Sequence, residues 1–182
     1  MILIEGPDNS GKSTLALQLS KEFGFKLYDR PHGPPKNADE LVMRALQLAL
    51  VQSKKNLIVD RHPLIGENVY GPILRGHNMW DEKPDYEKIL GDDLVDKIHK
   101  GDVFIIYCRP PREVVLNLKT HQVKDYDTPS HLKALTKKSG EILDCYDENL
   151  RTFASHIYDY TEEDSLKNLI KKIRKDYLNE RK

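Results

Sequence analysis

Glu5-Gly-Pro-Asp-Asn-Ser-Gly-Lys-Ser-Thr14 is the stretch around which the chain is organised. Gly6, four residues and then Gly11-Lys12-Ser13 fit the pattern G-x-x-x-x-G-K-[ST]. Met1-Ile2-Leu3-Ile4 before it is a short apolar run that reads as a buried strand. Leu15-Ala16-Leu17-Gln18-Leu19 after it continues a helical pattern. A strand, a glycine loop and a helix N-terminus together make an anion site, because backbone N–H groups and the helix dipole converge on one point. Gly6 and Gly11 let the backbone approach phosphate oxygens, Lys12 adds a fixed positive charge, and the Ser13 hydroxyl is suited to Mg²⁺.

The chain has 182 residues, enough for one domain with a small lid. Lys+Arg and Asp+Glu both number 29, so no net field draws it to nucleic acid or a membrane. Mean hydropathy is −0.63, and no apolar stretch nears the ~20 residues of a membrane span. The first strand begins at the initiator Met, with no signal-peptide pattern, so a cytoplasmic setting is expected. Cys108 and Cys145 are isolated in apolar contexts and read as packed thiols.

The rest of the chain alternates strands and helices. Leu15, Leu19 and Phe23 mark a first helix that Gly24 caps, and residues 25–28 read as a second strand. The proline- and glycine-rich stretch 29–35 must be loop. A helix starting at Asn37 or Asp39 runs through Val51, and residues 56–60 form an apolar third strand ended by Pro63. Residues 64–83 read as irregular, broken by Gly66, Gly71, Pro72 and Gly76. A helix follows over 84–100, then a strand over 103–108, then a helix opened by Pro111. A long helix spans about 130–153, with Gly140 as a soft spot. Residues 156–160 read as the last strand, and 161–164 as a capping-box start to a final helix. The alternation predicts an α/β fold with a parallel sheet covered on both faces, and ligands beyond the C-terminal strand ends. Those ends carry Glu5, Asp29-Arg30, Asp60-Arg61, Cys108-Arg109 and Tyr160-Thr161.

Carboxylates and arginines beside a phosphate loop suit phosphoryl transfer, which depends on positioning and charge neutralisation. Lys12 and the loop residues Asn9, Ser10, Gly11, Ser13 and Thr14 would hold the donor. Ser13 and Asp60 are the expected Mg²⁺ residues, and Asp60 is alternatively the acceptor of a proton. Arg61 and Arg30 would clamp an acceptor phosphate, and Asp8 would take a hydrogen bond from a sugar hydroxyl. Tyr70 is weighed as a stacking residue for the acceptor base, and Trp80 as a residue that pins its loop. A basic lid is expected at about 119–130, with Lys119, His121 and Lys124. His99, His131 and His156 lack metal-ligand spacing. The C-terminal lysine-rich run is read as a solvated helix face.

Residues 5–14 resemble the E-G-x-D-G-x-G-K-[ST]-T loop of thymidylate kinases and related nucleoside-phosphate kinases. Asp60-Arg61-His62 resembles that family's D-R-[YH] motif, Arg30-Pro31-His32-Gly33 lies where it has an R-E-P-G-G turn, and Pro110-Pro111 follows strand four as a Pro-Pro pair often does there. The resemblance implies a three-layer P-loop kinase fold, with a five-stranded parallel sheet, helices on both faces and a small mobile lid. It also implies ATP and Mg²⁺ as cofactors and a nucleotide-type small-molecule acceptor. Asp8 would contact the acceptor sugar, Arg61 its phosphate, and the segment around Tyr160 the adenine. Departures are Asn9 for a glycine, His32 for a glutamate, Arg109 for an aspartate, and a lid with no arginine. Either Arg109 or Arg112 is therefore expected to neutralise the transferred phosphoryl group, or a slower or different reaction is run. Residues 64–72 do not read as the family's thymine-binding stretch.

The leading expectation is an ATP- and Mg²⁺-dependent kinase of a nucleoside monophosphate, with a deoxynucleotide favoured. One alternative acceptor is a hydroxyl on a nucleoside or on a hydroxymethyl pyrimidine in DNA. A nucleotide-dependent switch is the third reading, disfavoured by the missing N-K-x-D motif. A homodimer is compatible with the sequence, no membrane partner is expected, and the tail-free chain suggests a phage or bacterial source.

Overall fold

The first strand sets the architecture. In the computed structural model, which describes residues 1–29, 31, 33–52, 54, 56–117 and 128–178, every residue of β1 (Ile2–Glu5) is buried. A strand with no polar face has to lie inside a sheet covered on both sides. β1 accordingly pairs in parallel with β3 (Leu57–Asp60) on one side and β4 (Phe104–Cys108) on the other. The short strands β2 (Lys26–Leu27) and β5 (His156–Tyr158) complete a parallel sheet of order β2-β3-β1-β4-β5. Ile2 is in register with both Ile58 and Phe104, so Glu5, Asp60 and Tyr107 finish near one edge.

Alternation along the strands divides the core. Ile2, Ile4, Ile58 and Ile106 point to the side covered by α1 (Lys12–Phe23) and α7 (Ser165–Lys172). Leu3, Val59 and Ile105 point to the side covered by α2 (Ala38–Val51) and α4 (Pro84–His99). α6 (Pro129–Leu150) packs Leu135, Ile142, Tyr146 and Leu150 against Tyr107 and Val69. The five-stranded α/β layering is as expected from the sequence. So are Gly24, which caps α1 at φ 68°, and Asn37, whose side chain accepts from Glu40 N at the start of α2.

Two expectations are corrected. Residues 64–83 are largely helical, with α3 over Pro63–Tyr70, a π turn over Gly71–Arg75 and a 3-10 turn over Met79–Glu82. Pro63 opens α3 as well as ending β3, and His62 caps it by accepting from Leu64 N at Nδ1, 3.2 Å. The last helix begins at Ser165 without a side-chain cap, because Thr161 donates instead to Asp159 Oδ1 from both its N–H and its hydroxyl. Gly140 leaves α6 unbroken; a Cβ there would stand 3.2 Å from Arg112 Nη2, so the glycine makes room for that side chain. Between β4 and α6 lies a short helix, α5 (Arg112–Leu116), and the expected lid residues 119–127 fall outside the described residues. Pro129 and Ser130 begin α6.

Candidate active site

Residues 6–11 turn the chain from β1 into α1. Gly6 has φ 142°, and a Cβ on it would meet the Cys108 carbonyl oxygen at 2.6 Å. No other residue type fits there. Gly11 has φ 80° and lies under the Tyr160 ring, 2.9 Å from where its Cβ would be. Asn9 adopts φ 62°, a region asparagine tolerates, and its side-chain amide donates to Val114 O (2.9 Å) and Asn117 O (3.1 Å). The loop is thereby tied to the start of the segment that leads toward the expected lid. Ser10 Oγ donates to Pro7 O, and Lys12 Nζ donates to Pro7 O at 2.5 Å. Burial, with Arg61 close by, lowers the Lys12 ammonium to a pKa of about 8.

Two further residues from the end of β3 close on the loop. Ser13 Oγ donates to Asp60 Oδ2 at 2.7 Å. Arg61, at φ 74°, reaches Asp8 Oδ1 (3.3 Å) and Tyr70 Oη (2.9 Å) through Nη2, and its Cζ lies 4.5 Å from the Tyr70 ring centroid. Tyr70 in turn donates to Asp8 Oδ2 at 2.8 Å. Burial would depress Arg61, but Tyr70 and Asp8 override it and hold its pKa well above the ordinary value. Asp8, Arg61 and Tyr70 form one hydrogen-bonded unit.

Glu5 belongs to this centre and was not singled out by its sequence. It is fully buried, accepts from His62 N at 2.5 Å through Oε1, and receives the Tyr146 hydroxyl at 3.4 Å on Oε2. Burial raises it to about 7, against the lowering pull of the His62 N–H and the Arg61 and Lys12 charges. The signal lay in the motif itself: a carboxylate at the buried end of an all-apolar strand.

Arg109 is where the sequence reading and the structure part. Its guanidinium forks onto Asp147 on α6, Nε to Oδ1 at 2.9 Å and Nη2 to Oδ2 at 3.0 Å, and Tyr107 Oη donates to the same carboxylate at 2.8 Å. Arg109 does not line the cavity described below. Arg112 is paired with Asp144. Both expected phosphoryl neutralisers therefore fasten β4 and α5 to α6. Arg30 and His32 lie outside the described residues, as do Lys119, His121 and Lys124. Trp80 is fully buried in the core, as the loop-pinning reading has it.

The other expected site residues, Gly6 apart, line one cavity of about 1470 Å³ at the C-terminal strand ends, and Glu5 lies behind its lining. Its lining includes Lys12, the Ser13–Asp60 pair, Tyr160 beside Gly11, and the Asp8–Arg61–Tyr70 unit. A hydroxyl and a carboxylate oxygen held together suit Mg²⁺, which keeps waters and substrate phosphates as its other ligands. Among the described residues no three His, Cys, Asp or Glu side chains cluster as a protein-only metal site. No described helix is long and apolar enough to cross a membrane.

No protein-family model matches the sequence, and no curated protein matches it. Solved structures do match. The YorR protein of Bacillus subtilis, in complex with phosphorylated GDP, superposes with TM-score 0.66 at 21% identity over 95% of each chain. The fold is that of the P-loop kinases. Deoxyadenosine kinase from M. mycoides with bound dATP gives 0.58 at 16% identity, over 95% of this chain and 98% of that one. Thymidylate kinase from Candida albicans gives 0.56 at 16% identity, over 98% and 93%. At these identities the likeness is one of fold.

Proposed function

We propose that the protein transfers the γ-phosphoryl group of ATP to a nucleoside monophosphate, with a deoxynucleotide as the preferred acceptor. One observation carries this reading: the phosphate loop, the Ser13–Asp60 pair and the Asp8–Arg61–Tyr70 unit open into one cavity. Phosphoryl transfer needs a donor and an acceptor held together across the group that moves, and a single cavity lined by both the phosphate loop and the Asp8–Arg61–Tyr70 unit has room for the two. Among the fold neighbours, the thymidylate kinase is named for a monophosphate acceptor and supports it, while the deoxyadenosine kinase, named for a nucleoside, supports only phosphoryl transfer to a nucleoside-type acceptor.

The residues divide the work. The loop N–H groups and Lys12 bind the donor phosphates, and Lys12 exchanges its bond to Pro7 O for the phosphate charge. Tyr160, stacked over Gly11, is the base contact on the donor side. Mg²⁺, held through Ser13 and Asp60, supplies charge neutralisation at the phosphates when bound. Asp8 receives the acceptor's sugar hydroxyl, and Arg61 orients its phosphate for in-line attack. A single domain with a lid over residues 119–130 would exclude water from the reaction.

The test is transfer of label from γ-labelled ATP, with Mg²⁺, to a panel of deoxynucleoside monophosphates, free nucleosides and DNA with and without hydroxymethyl pyrimidines. Label in a nucleoside diphosphate supports the reading. Label only on a nucleoside or DNA hydroxyl overturns its acceptor half.

A further inference from the structure

Beyond Tyr70, the acceptor half of the cavity carries a charged pair that the reaction does not use. Glu67 on α3 and Arg75 at the end of the π turn both line it. The Glu67 side chain is 3% exposed and that of Arg75 27%. Glu67 Oε1 accepts from Arg75 Nη2 and, at 2.9 Å, from Met79 N. Both bonds fall on Oε1 and fix the carboxylate in place. Arg75 Nε is buried, with no partner among the described residues. The backbone is shaped around the pair: a Cβ on Gly71 would collide with Glu67 Oε1 and lie 3.0 Å from Arg75 Nη2.

We propose that Glu67 and Arg75 read the acceptor base, and that the base they select is a 6-oxopurine of the guanine type. The inference rests on the kinase reading above. A guanidinium has five N–H donors and no acceptor, and a carboxylate has acceptors only. Arg75 commits one donor to Glu67, so the pair offers two adjacent donors followed by one acceptor. The complementary edge has two adjacent acceptors followed by a donor. Guanine has it in N7, O6 and N1–H, and arginine forked onto O6 and N7 is a favoured guanine contact. Adenine presents N7, N6–H₂ and N1, acceptor-donor-acceptor, and sets its amino group against the guanidinium. Thymine, with O4, N3–H and O2, has the same mismatch. Cytosine has the right order, but includes O2 beside the sugar, whereas the guanine edge lies on the far side of the base from the sugar that Asp8 anchors. The 2-amino group is not part of the edge, so hypoxanthine qualifies as well as guanine.

The experiment is calorimetric binding of dGMP, dIMP, 7-deaza-dGMP, dAMP, dCMP and dTMP to the full chain, with ATP binding measured alongside. dGMP and dIMP should bind within about threefold of each other. 7-Deaza-dGMP, which lacks the N7 acceptor, and the other three should bind roughly tenfold or more weakly. Arg75→Lys keeps the charge but loses the fork; it should weaken dGMP about tenfold and leave ATP binding and the melting temperature unchanged. dAMP or dTMP binding as tightly as dGMP, or 7-deaza-dGMP as tightly as dGMP, overturns the assignment and leaves the kinase reading intact. ATP binding with no monophosphate binding overturns the monophosphate reading, and the assignment with it.

Discussion

The Tyr70 hydroxyl donates to Asp8 Oδ2 at 2.8 Å, joining the end of α3 to the phosphate loop. The same oxygen accepts from Arg61 Nη2, so one side chain fixes the Asp8 and Arg61 charges relative to each other. Tyr70→Phe keeps the ring under the guanidinium and removes both bonds. Hydrogen bonds to charged groups are worth about 1.5–3 kcal/mol. The acceptor KM should therefore rise roughly tenfold while the ATP KM stays within about twofold. Steady-state kinetics varying each substrate in turn would check this, and equal loss for both substrates would mean that Tyr70 only supports the fold.

Asp60 bonds to Ser13 and lies where metal and phosphates would meet. Asp60→Asn retains the shape and a hydrogen-bonding group but loses the charge. Turnover should fall about a hundredfold or more, with ATP affinity changed by less than about fivefold. Comparing kcat with the ATP dissociation constant tests this. The reverse pattern would make Asp60 a structural partner of Ser13.

Glu5 makes stability depend on pH in a definite direction. Its ordinary value is 4.5 and burial raises it to about 7 in the folded chain. The folded state therefore holds an extra proton between these values. The associated stability is complete below pH 4.5 and is lost as the pH rises through 7. A shift of this size corresponds to roughly 3 kcal/mol. Glu5→Gln should melt higher than the parent protein at pH 8, with the gap closing toward pH 5. Thermal melts across that range would read it, and a gap that widens toward low pH would contradict it.

Gly6 is the position in the loop with least room. Gly6→Ala would have to relieve both φ 142° and the contact with the Cys108 carbonyl, backbone against backbone. It should destabilise the protein by about 2–4 kcal/mol and weaken ATP binding at least tenfold. Urea unfolding and nucleotide titration would measure the two effects.

The phosphate loop was legible in the sequence because its physics is local: strand, glycines and helix N-terminus adjoin in the chain. The stretch after β3 was not, because Pro63, Gly66 and Gly71 read as breakers. In the structure Pro63 is at the first position of α3, and the two glycines are small because side chains pass close by. A Cβ on Gly66 would be 3.2 Å from Arg61 Cδ, and one on Gly71 would strike Glu67. Reading that stretch as irregular hid the Glu67–Arg75 pair. Arg109 looked catalytic because it ends a central strand. Its partner Asp147 lies 38 residues on, and nothing local marks a carboxylate at that distance on α6. Tyr70 was placed on the acceptor side, but its link is through its hydroxyl to Asp8 and Arg61.

In the proposed function Lys12 and its loop hold a phosphoryl donor for an acceptor in the same cavity. The most direct measurement is a single turnover of γ-labelled ATP and Mg²⁺ with a deoxynucleoside monophosphate, using the parent protein and Lys12→Ala, with the products identified by mass. The expected result is a labelled diphosphate from the parent and none from Lys12→Ala, which should remain folded. Label released from the parent only as inorganic phosphate, or equal transfer by both proteins, would contradict it.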